Sequence, residues 1–126
     1  MDLYREQILD HFKHPRNFGR IAGADVSSEE VNMSCGDRIV IDIRFGNGKA
    51  GTRIIREVRF SGEGCAINQA SASMLTEKIT GIDTLEVMKL GRADVETMLG
   101  TTLTPSRVKC ALLPLEAIQK AIKSVR

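Results

Sequence analysis

The sequence has few aromatic residues and little net charge. Its 126 residues include no tryptophan, one tyrosine and four phenylalanines, and 18 basic residues against 16 acidic ones give a net charge of +2. A nucleic-acid surface needs clustered positive charge, and single strands also need aromatic rings on which bases can stack. Both are scarce here, so the composition argues against a nucleic-acid-binding module.

Long apolar stretches are missing as well. No run approaches the roughly 20 residues that cross a bilayer, and the N-terminus lacks the features of a signal or transit peptide. The remaining composition, 42% hydrophobic and 27% charged, is typical of a globular domain. We therefore expect one cytoplasmic domain over residues 1–126, long enough to bury a core, with no membrane partner.

The cysteines are too few and odd in number for a disulfide framework, and none forms a Cys-x-x-Cys pair. Cytoplasmic thiols stay reduced, so unpaired cysteines there are typical of metal-binding or reactive sites. Cys35 precedes a predicted strand, Cys65 opens a predicted helix, and Cys110 comes just before the last predicted helix. At such element ends, backbone amides and helix dipoles stabilise a thiolate. The positions favour one metal or sulfur site assembled from distant parts of the chain.

Alternating hydrophobicity predicts an antiparallel hairpin in the middle of the sequence. One strand turns Ile39, Ile41, Ile43 and Phe45 inward and Arg38, Asp42 and Arg44 outward; the other turns Ile54, Val58 and Phe60 inward and Ile55, Glu57 and Arg59 outward. Residues 46–49 supply the turn, and residues 23–31 form an edge strand. Because the outer ends of a hairpin are neighbours, Cys35 and Cys65 are expected to lie close together.

Helices are predicted on both sides of the hairpin, over residues 3–13, 66–80, 84–90, 93–99 and 114–124. Pro114 is placed in the first turn of the last helix because proline fits that position. Strands that come before most of the helices, instead of alternating with them, indicate an α+β fold.

Three thiolates and a carboxylate would complete a tetrahedral zinc site, and Asp37, one glycine away from Cys35, is the natural fourth ligand. The same donors suit an iron–sulfur cluster, which an oxygen ligand would hold less firmly than sulfur would. Such a site would be exchangeable. Alternatively, each cysteine is a small buried residue and Asp37 is a turn or capping carboxylate.

Two of the thiols are also candidates for accepting sulfur. Cys110 follows Arg107 and Lys109, whose positive charges favour a thiolate, and Cys65 lies at the positive end of a helix. Cys110 is the first candidate persulfide acceptor and Cys65 the second. His11 and His14 are interpreted as helix-end residues, since the dipole favours histidine there, and are rejected as metal ligands.

Four ordered motifs together resemble the NifU/IscU-type iron–sulfur cluster assembly family, at residues 10–19, 34–37, 62–67 with 70–73, and 107–110. The resemblance implies a three-stranded antiparallel sheet with helices packed on it. It also implies that Cys35, Asp37, Cys65 and Cys110 bind zinc or a transient iron–sulfur cluster. The implied partners are a pyridoxal-phosphate cysteine desulfurase, which donates sulfur, and acceptor apo-proteins.

The motifs point in two directions within that family. Lys109 stands where IscU-type members have a histidine, which resembles the SufU-like branch, but the 45 positions from Cys65 to Cys110 are too few for the insertion of SufU-type proteins. Residues 103–109 partly resemble the IscU chaperone-recognition motif, which makes a chaperone a further candidate partner. The leading hypothesis is a cluster assembly scaffold; the alternatives are a zinc-dependent sulfurtransferase and a domain in which zinc is purely structural.

Overall fold

A computed structural model describes residues 3–34 and 36–125. The elements follow one another along the chain as α1 (Leu3–Lys13), β1 (Val26–Asn32), β2 (Asp37–Asn47), β3 (Arg53–Glu63), α2 (Ala66–Ile79), α3 (Thr84–Met88), α4 (Arg92–Leu99) and α5 (Pro105–Ser124), with a 3-10 turn at Lys49–Gly51. The strands form one antiparallel sheet in the order β1-β2-β3. The predicted α+β fold, the hairpin and the edge strand are confirmed.

The core lies between the inner face of the sheet and the helices. Ile39, Ile41 and Ile43 of β2 are fully buried, and Ile41 and Ile43 pair with Phe60 and Val58 of β3. Helix α5 packs against β1, β2 and α2, and α1 packs on the outer side of α2. This arrangement brings the start of β2, the end of β3, the start of α2 and the first half of α5 to one region of the molecule.

The inward face of β3 differs from the prediction at its beginning. Ile55 is fully buried and Ile54 is half-buried, the reverse of the predicted orientation. A bulge between Arg44 and Phe45 shifts the register, so that Phe45 pairs with Ile55 while Arg44 pairs with Glu57. An extra residue in one strand reverses the alternation of side chains on either side of the bulge.

Asp42 was predicted to face solvent on the outer side of β2, and this was wrong. The segment before β1 covers that face, and Asp42 is only 1% exposed. Its carboxylate accepts hydrogen bonds from Arg20 Nε at 2.6 Å, from the Ile21 N–H at 2.9 Å and from the Ser27 hydroxyl. Burial alone would raise the pKa of Asp42, but these bonds outweigh it and the pKa lies below its ordinary value.

Helix α5 begins nine residues earlier than predicted. Pro105, and not Pro114, occupies its first turn, and Pro114 lies buried inside the helix. Cys110 is therefore part of the second turn of α5 instead of preceding the last helix. No helix in the described part of the chain is long and apolar enough to cross a membrane.

Candidate metal centre

Three of the four predicted ligands come together. A carboxylate oxygen of Asp37 and the sulfur atoms of Cys65 and Cys110 all lie within 4.8 Å of one another. Asp37 is the first residue of β2, Cys65 is the N-cap of α2, and Cys110 projects from α5. The group thus combines three elements that are distant in sequence.

The hairpin places the first two of these residues beside each other. The sequence pattern predicted such closeness for Cys35 and Cys65, and this stays a prediction because Cys35 lies outside the described residues. Arg38 pairs with Glu63, so the next residues outward on the two strands are Asp37 and Gly64, which precedes Cys65. The Cys65 N–H lies 3.3 Å from Asp37 Oδ1, to which it donates a hydrogen bond. This contact ties the start of α2 to the start of β2.

A glycine makes the close pairing of the strands possible at this end. Gly62 has a φ of +116°, and a Cβ atom there would overlap the carbonyl oxygen of Arg38 and lie 2.9 Å from the Arg38 carbonyl carbon. Both obstructing atoms belong to the backbone, which cannot turn away as a side chain can. The glycine therefore keeps the hairpin closed where it carries the candidate ligands.

Two buried polar side chains of α2 connect it to α5 beside Cys110. Asn68 Nδ2 donates to the Cys110 carbonyl at 3.1 Å, and the Ser71 hydroxyl donates to the Ala111 carbonyl at 2.7 Å. Both side chains are fully buried. Asn68 was not among the predicted site residues; the available signal was an amide in a helix whose other buried residues are small, hydroxyl-bearing or apolar.

Cys35 lies outside the described residues, so its predicted role as a ligand stays a prediction. The residue after it, Gly36, has a left-handed φ of +73° and donates its N–H to the Asn32 carbonyl at 2.9 Å. This left-handed conformation is one that glycine adopts readily. Asp37 begins β2 immediately after this turn.

The candidate ligands differ in exposure. Cys65 is exposed to solvent, whereas Cys110 is 6% and Asp37 is 2% exposed. Arg107 and Lys109 are both exposed on α5. Of the two described cysteines, Cys65 is the one that a partner can reach without moving α5.

The histidines lie elsewhere. His11 is buried between α1 and α2, where its Nδ1 is 2.7 Å from the Ser73 hydroxyl oxygen, and that oxygen also accepts the Arg16 N–H at 2.8 Å. Burial lowers the pKa of His11, and the positive charge of Arg16 adds to the effect. The neutral imidazole fastens α1 to α2, while His14 is exposed.

The chemistry of the three donors fits zinc. Thiolate sulfur and carboxylate oxygen are both zinc ligands, and a Zn–S bond of about 2.3 Å places two sulfurs of a tetrahedral site about 3.8 Å apart. The observed separations of no more than 4.8 Å require only small side-chain movements to reach that value. Asp37 at the start of β2 and Cys65 at the N-cap of α2 are thus close enough to bind the same zinc ion.

Comparison with known families identifies the family of the chain. The model of the family described as NifU-like N terminal domain matches residues 3–126. The chain belongs to this family. The resemblance found in the sequence motifs is therefore confirmed.

Similar proteins carry two different descriptions. The chain is 32% identical to the zinc-dependent sulfurtransferase SufU of Bacillus subtilis, covering 95% of this chain and 89% of the relative. It is 31% identical to the iron-sulfur cluster assembly scaffold protein IscU of Thermotoga maritima, covering 98% and 94%. The two alignments extend over 137 and 139 positions, so both relatives contain residues that this chain lacks. Chain length therefore does not separate the two descriptions.

A solved structure supports the same fold. The putative iron-sulfur cluster assembly scaffold protein for the SUF system of Fervidobacterium islandicum superimposes with a TM-score of 0.71 at 32% identity, covering 93% of this chain and 94% of that one. The predicted small antiparallel sheet with helices packed on it is the architecture that the two proteins share.

Proposed function

We propose that this protein is a scaffold on which iron–sulfur clusters are assembled and from which they are transferred. The observation that carries the proposal is the convergence of Asp37, Cys65 and Cys110 within 4.8 Å at one end of the hairpin. Cys35, two residues before Asp37, would supply the third thiolate. The IscU relative and the structural neighbour, both described as assembly scaffolds, support the proposal.

The chain's residues would divide the work of holding this cargo. The thiolates of Cys35, Cys65 and Cys110 would bind iron firmly, whereas the carboxylate of Asp37 is a harder ligand and would release it more readily. Cys65 is exposed, so one side of the cargo would face an acceptor apo-protein. When no cluster is present, zinc held by the same residues would keep the thiols deprotonated and the site ordered.

A second function, sulfur transfer, is favoured by the exposure of Cys65. Its thiolate would attack the terminal sulfur of a persulfide on a cysteine desulfurase and form a new S–S bond. The donor's cysteine would leave as a thiolate, so the step needs no further oxidant or reductant. Cys110 was the first candidate acceptor in the sequence analysis, but its burial supports Cys65 for the first transfer. The SufU relative is described as a sulfurtransferase.

Reconstitution tests the scaffold function. Anaerobic incubation with ferrous iron and sulfide is expected to give the visible absorbance of an iron–sulfur cluster in the wild-type protein. The absorbance should be lost in Cys65→Ala and Cys110→Ala because each variant lacks a thiolate ligand. A wild-type protein that binds zinc tightly and stays colourless would contradict the scaffold function.

Desulfurase turnover tests the sulfur-transfer function. A catalytic amount of the zinc-loaded protein is expected to stimulate a cysteine desulfurase severalfold, with persulfide detectable on Cys65 by mass spectrometry. Cys65→Ala should abolish both signals. Stimulation that persists in Cys65→Ala and disappears in Cys110→Ala would instead identify the buried thiol as the acceptor.

Removal of the metal tests the third hypothesis, purely structural zinc. Since an extensive apolar core joins the sheet and the helices, a chelator is expected to leave the circular dichroism spectrum nearly unchanged. Global unfolding on chelation, as in small domains whose folding depends on zinc, would favour the structural role.

A further inference from the structure

Helix α5 contains a proline at a position that disturbs the backbone of Cys110. In an α-helix, the carbonyl of residue i accepts the N–H of residue i+4. For Cys110 that residue is Pro114, which has no N–H, and the proline ring also crowds the carbonyl four residues before it. Because this part of the helix is buried, a carbonyl left without a donor would destabilise the fold.

Asn68 supplies the missing donor from another helix. Its Nδ2 lies 3.1 Å from the Cys110 carbonyl oxygen, and its side chain is fully buried. The Gln69 side-chain amide donates to Asn68 Oδ1 at 3.0 Å, which fixes the orientation of the Asn68 amide with its nitrogen toward Cys110. The bond thus replaces, from the side, the helical bond that Pro114 cannot make.

The position of Asn68 connects this bond to the other described thiol. Cys65 is the N-cap of α2, and Asn68 lies three residues later in its first turn. A hydrogen bond from this turn to the Cys110 carbonyl therefore fixes the start of α2 against the second turn of α5. These two turns carry two of the three donor atoms that lie within 4.8 Å of one another.

Gly64 provides the room that the Asn68 side chain needs. A Cβ atom at Gly64 would lie 2.7 Å from Asn68 Cγ and even closer to Oδ1. The backbone of Gly64 is outside the left-handed region, so alanine at this position would displace the amide without straining its own backbone. Glycine before Cys65 thus serves the contact between Asn68 and Cys110.

We infer that Asn68 is a positioning residue for the metal centre and that it acts by holding the Cys110 carbonyl where Pro114 removes the helical hydrogen bond. The inference rests on the proposed function, because it takes Cys65 and Cys110 to be metal ligands whose relative position this contact fixes. It also makes a specific statement about energetics: the contribution of Asn68 depends on the proline.

A double-mutant cycle of Asn68→Ala and Pro114→Ala tests this dependence. Zinc affinity is measured by competition with a chromophoric chelator, and the free energy of unfolding of the metal-free protein is measured by urea denaturation. Asn68→Ala alone is expected to lower zinc affinity by about 10- to 100-fold, as is common for residues that orient ligands. In the double variant the alanine that replaces Pro114 restores the backbone N–H, so affinity should return to within about threefold of Pro114→Ala alone.

Ser71→Ala is the matched control. Ser71 is also fully buried on α2 and donates to the next carbonyl, Ala111, but the residue four positions after Ala111 is Leu115, which has its N–H. Pro114→Ala is therefore expected to leave the effect of Ser71→Ala unchanged. Gly64→Ala is the second probe, because it keeps the asparagine but displaces its amide; it should lower zinc affinity in the same direction as Asn68→Ala.

Each outcome decides the inference. The inference would be overturned if Asn68→Ala lowered zinc affinity by the same factor with and without Pro114. Unchanged zinc affinity in both Asn68→Ala and Gly64→Ala would also overturn it. If Asn68→Ala does not fold, the double variant must fold, and its failure would count against the inference. A wild-type protein that binds no metal would refute the proposed function and with it the positioning role. The urea data would then still show whether Asn68 compensates for Pro114.

Discussion

Replacement of Gly62 by alanine is expected to reduce the free energy of unfolding by about 3 kcal/mol and to weaken metal binding. A φ of +116° is unfavourable for alanine, and holding alanine in this backbone conformation costs about 1–3 kcal/mol. The new Cβ would also overlap the backbone of Arg38. Relief of the overlap requires β2 and β3 to separate at the end of the hairpin that lies next to Asp37 and Cys65. Urea denaturation and zinc competition on the same samples measure the two effects.

Gly51→Ala separates strain from overlap. Gly51 also has a positive φ, +78°, but a Cβ there would meet nothing within 4 Å, and it lies at the opposite end of the hairpin. We expect a loss of about 1 kcal/mol and no change in zinc affinity. Equal losses of stability in the two variants, or equal zinc affinities, would show that the pairing at Gly62 does not position the site.

The second prediction with a large effect concerns two buried aspartates of the same strand. Asp37→Asn is expected to lower zinc affinity about 100-fold with little effect on stability. The free energy of zinc binding at structural sites with four ligands is about 10–16 kcal/mol, so the loss of one ligand removes about a quarter of that binding free energy at most. Stability should change little because the amide of asparagine can still accept the hydrogen bond from the Cys65 N–H.

Asp42→Asn should give the opposite result. Asp42 accepts hydrogen bonds from Arg20, Ile21 and Ser27 and is not part of the group that Asp37, Cys65 and Cys110 form among the described residues. The substitution removes a charge from a buried network of hydrogen bonds, so we expect a loss of about 2 kcal/mol of stability and unchanged zinc affinity. Similar effects of the two variants on zinc affinity would refute the role of Asp37 as a ligand.

The contrast between these aspartates shows what the sequence can reveal. Alternation identified the inner face of β2, and the turn residues identified its partner. The expected closeness of Cys35 and Cys65 followed from this hairpin, and the position of Asp37 beside Cys65 agrees with it. The same alternation could not show that the segment before β1 folds over the outer face. Asp42 was therefore predicted to be exposed, because burial there depends on a contact with residues 15 to 22 positions earlier in the chain.

The approach of Cys110 was harder to predict for a similar reason. Proline inside a helix is unfavourable by about 3 kcal/mol when nothing compensates for it, which favoured a helix start at Pro114. The helix nevertheless continues through this residue, and Asn68, 42 positions before Cys110, donates a hydrogen bond to the Cys110 carbonyl, which lacks its helical donor at Pro114. The family motifs predicted that Cys110 belongs to the site, whereas its position inside α5 could be recognised only from the tertiary structure.

The number of thiolates around one bound ion tests the central claim most directly. Cobalt(II) is a spectroscopic substitute for zinc, and its near-ultraviolet sulfur-to-metal charge-transfer band grows with the number of thiolate ligands. We predict binding of one equivalent, with a band whose intensity falls by about a third in each of Cys35→Ala, Cys65→Ala and Cys110→Ala. Absence of this band in the wild-type protein would contradict a single site built from these cysteines. So would an unchanged band in any of the three variants.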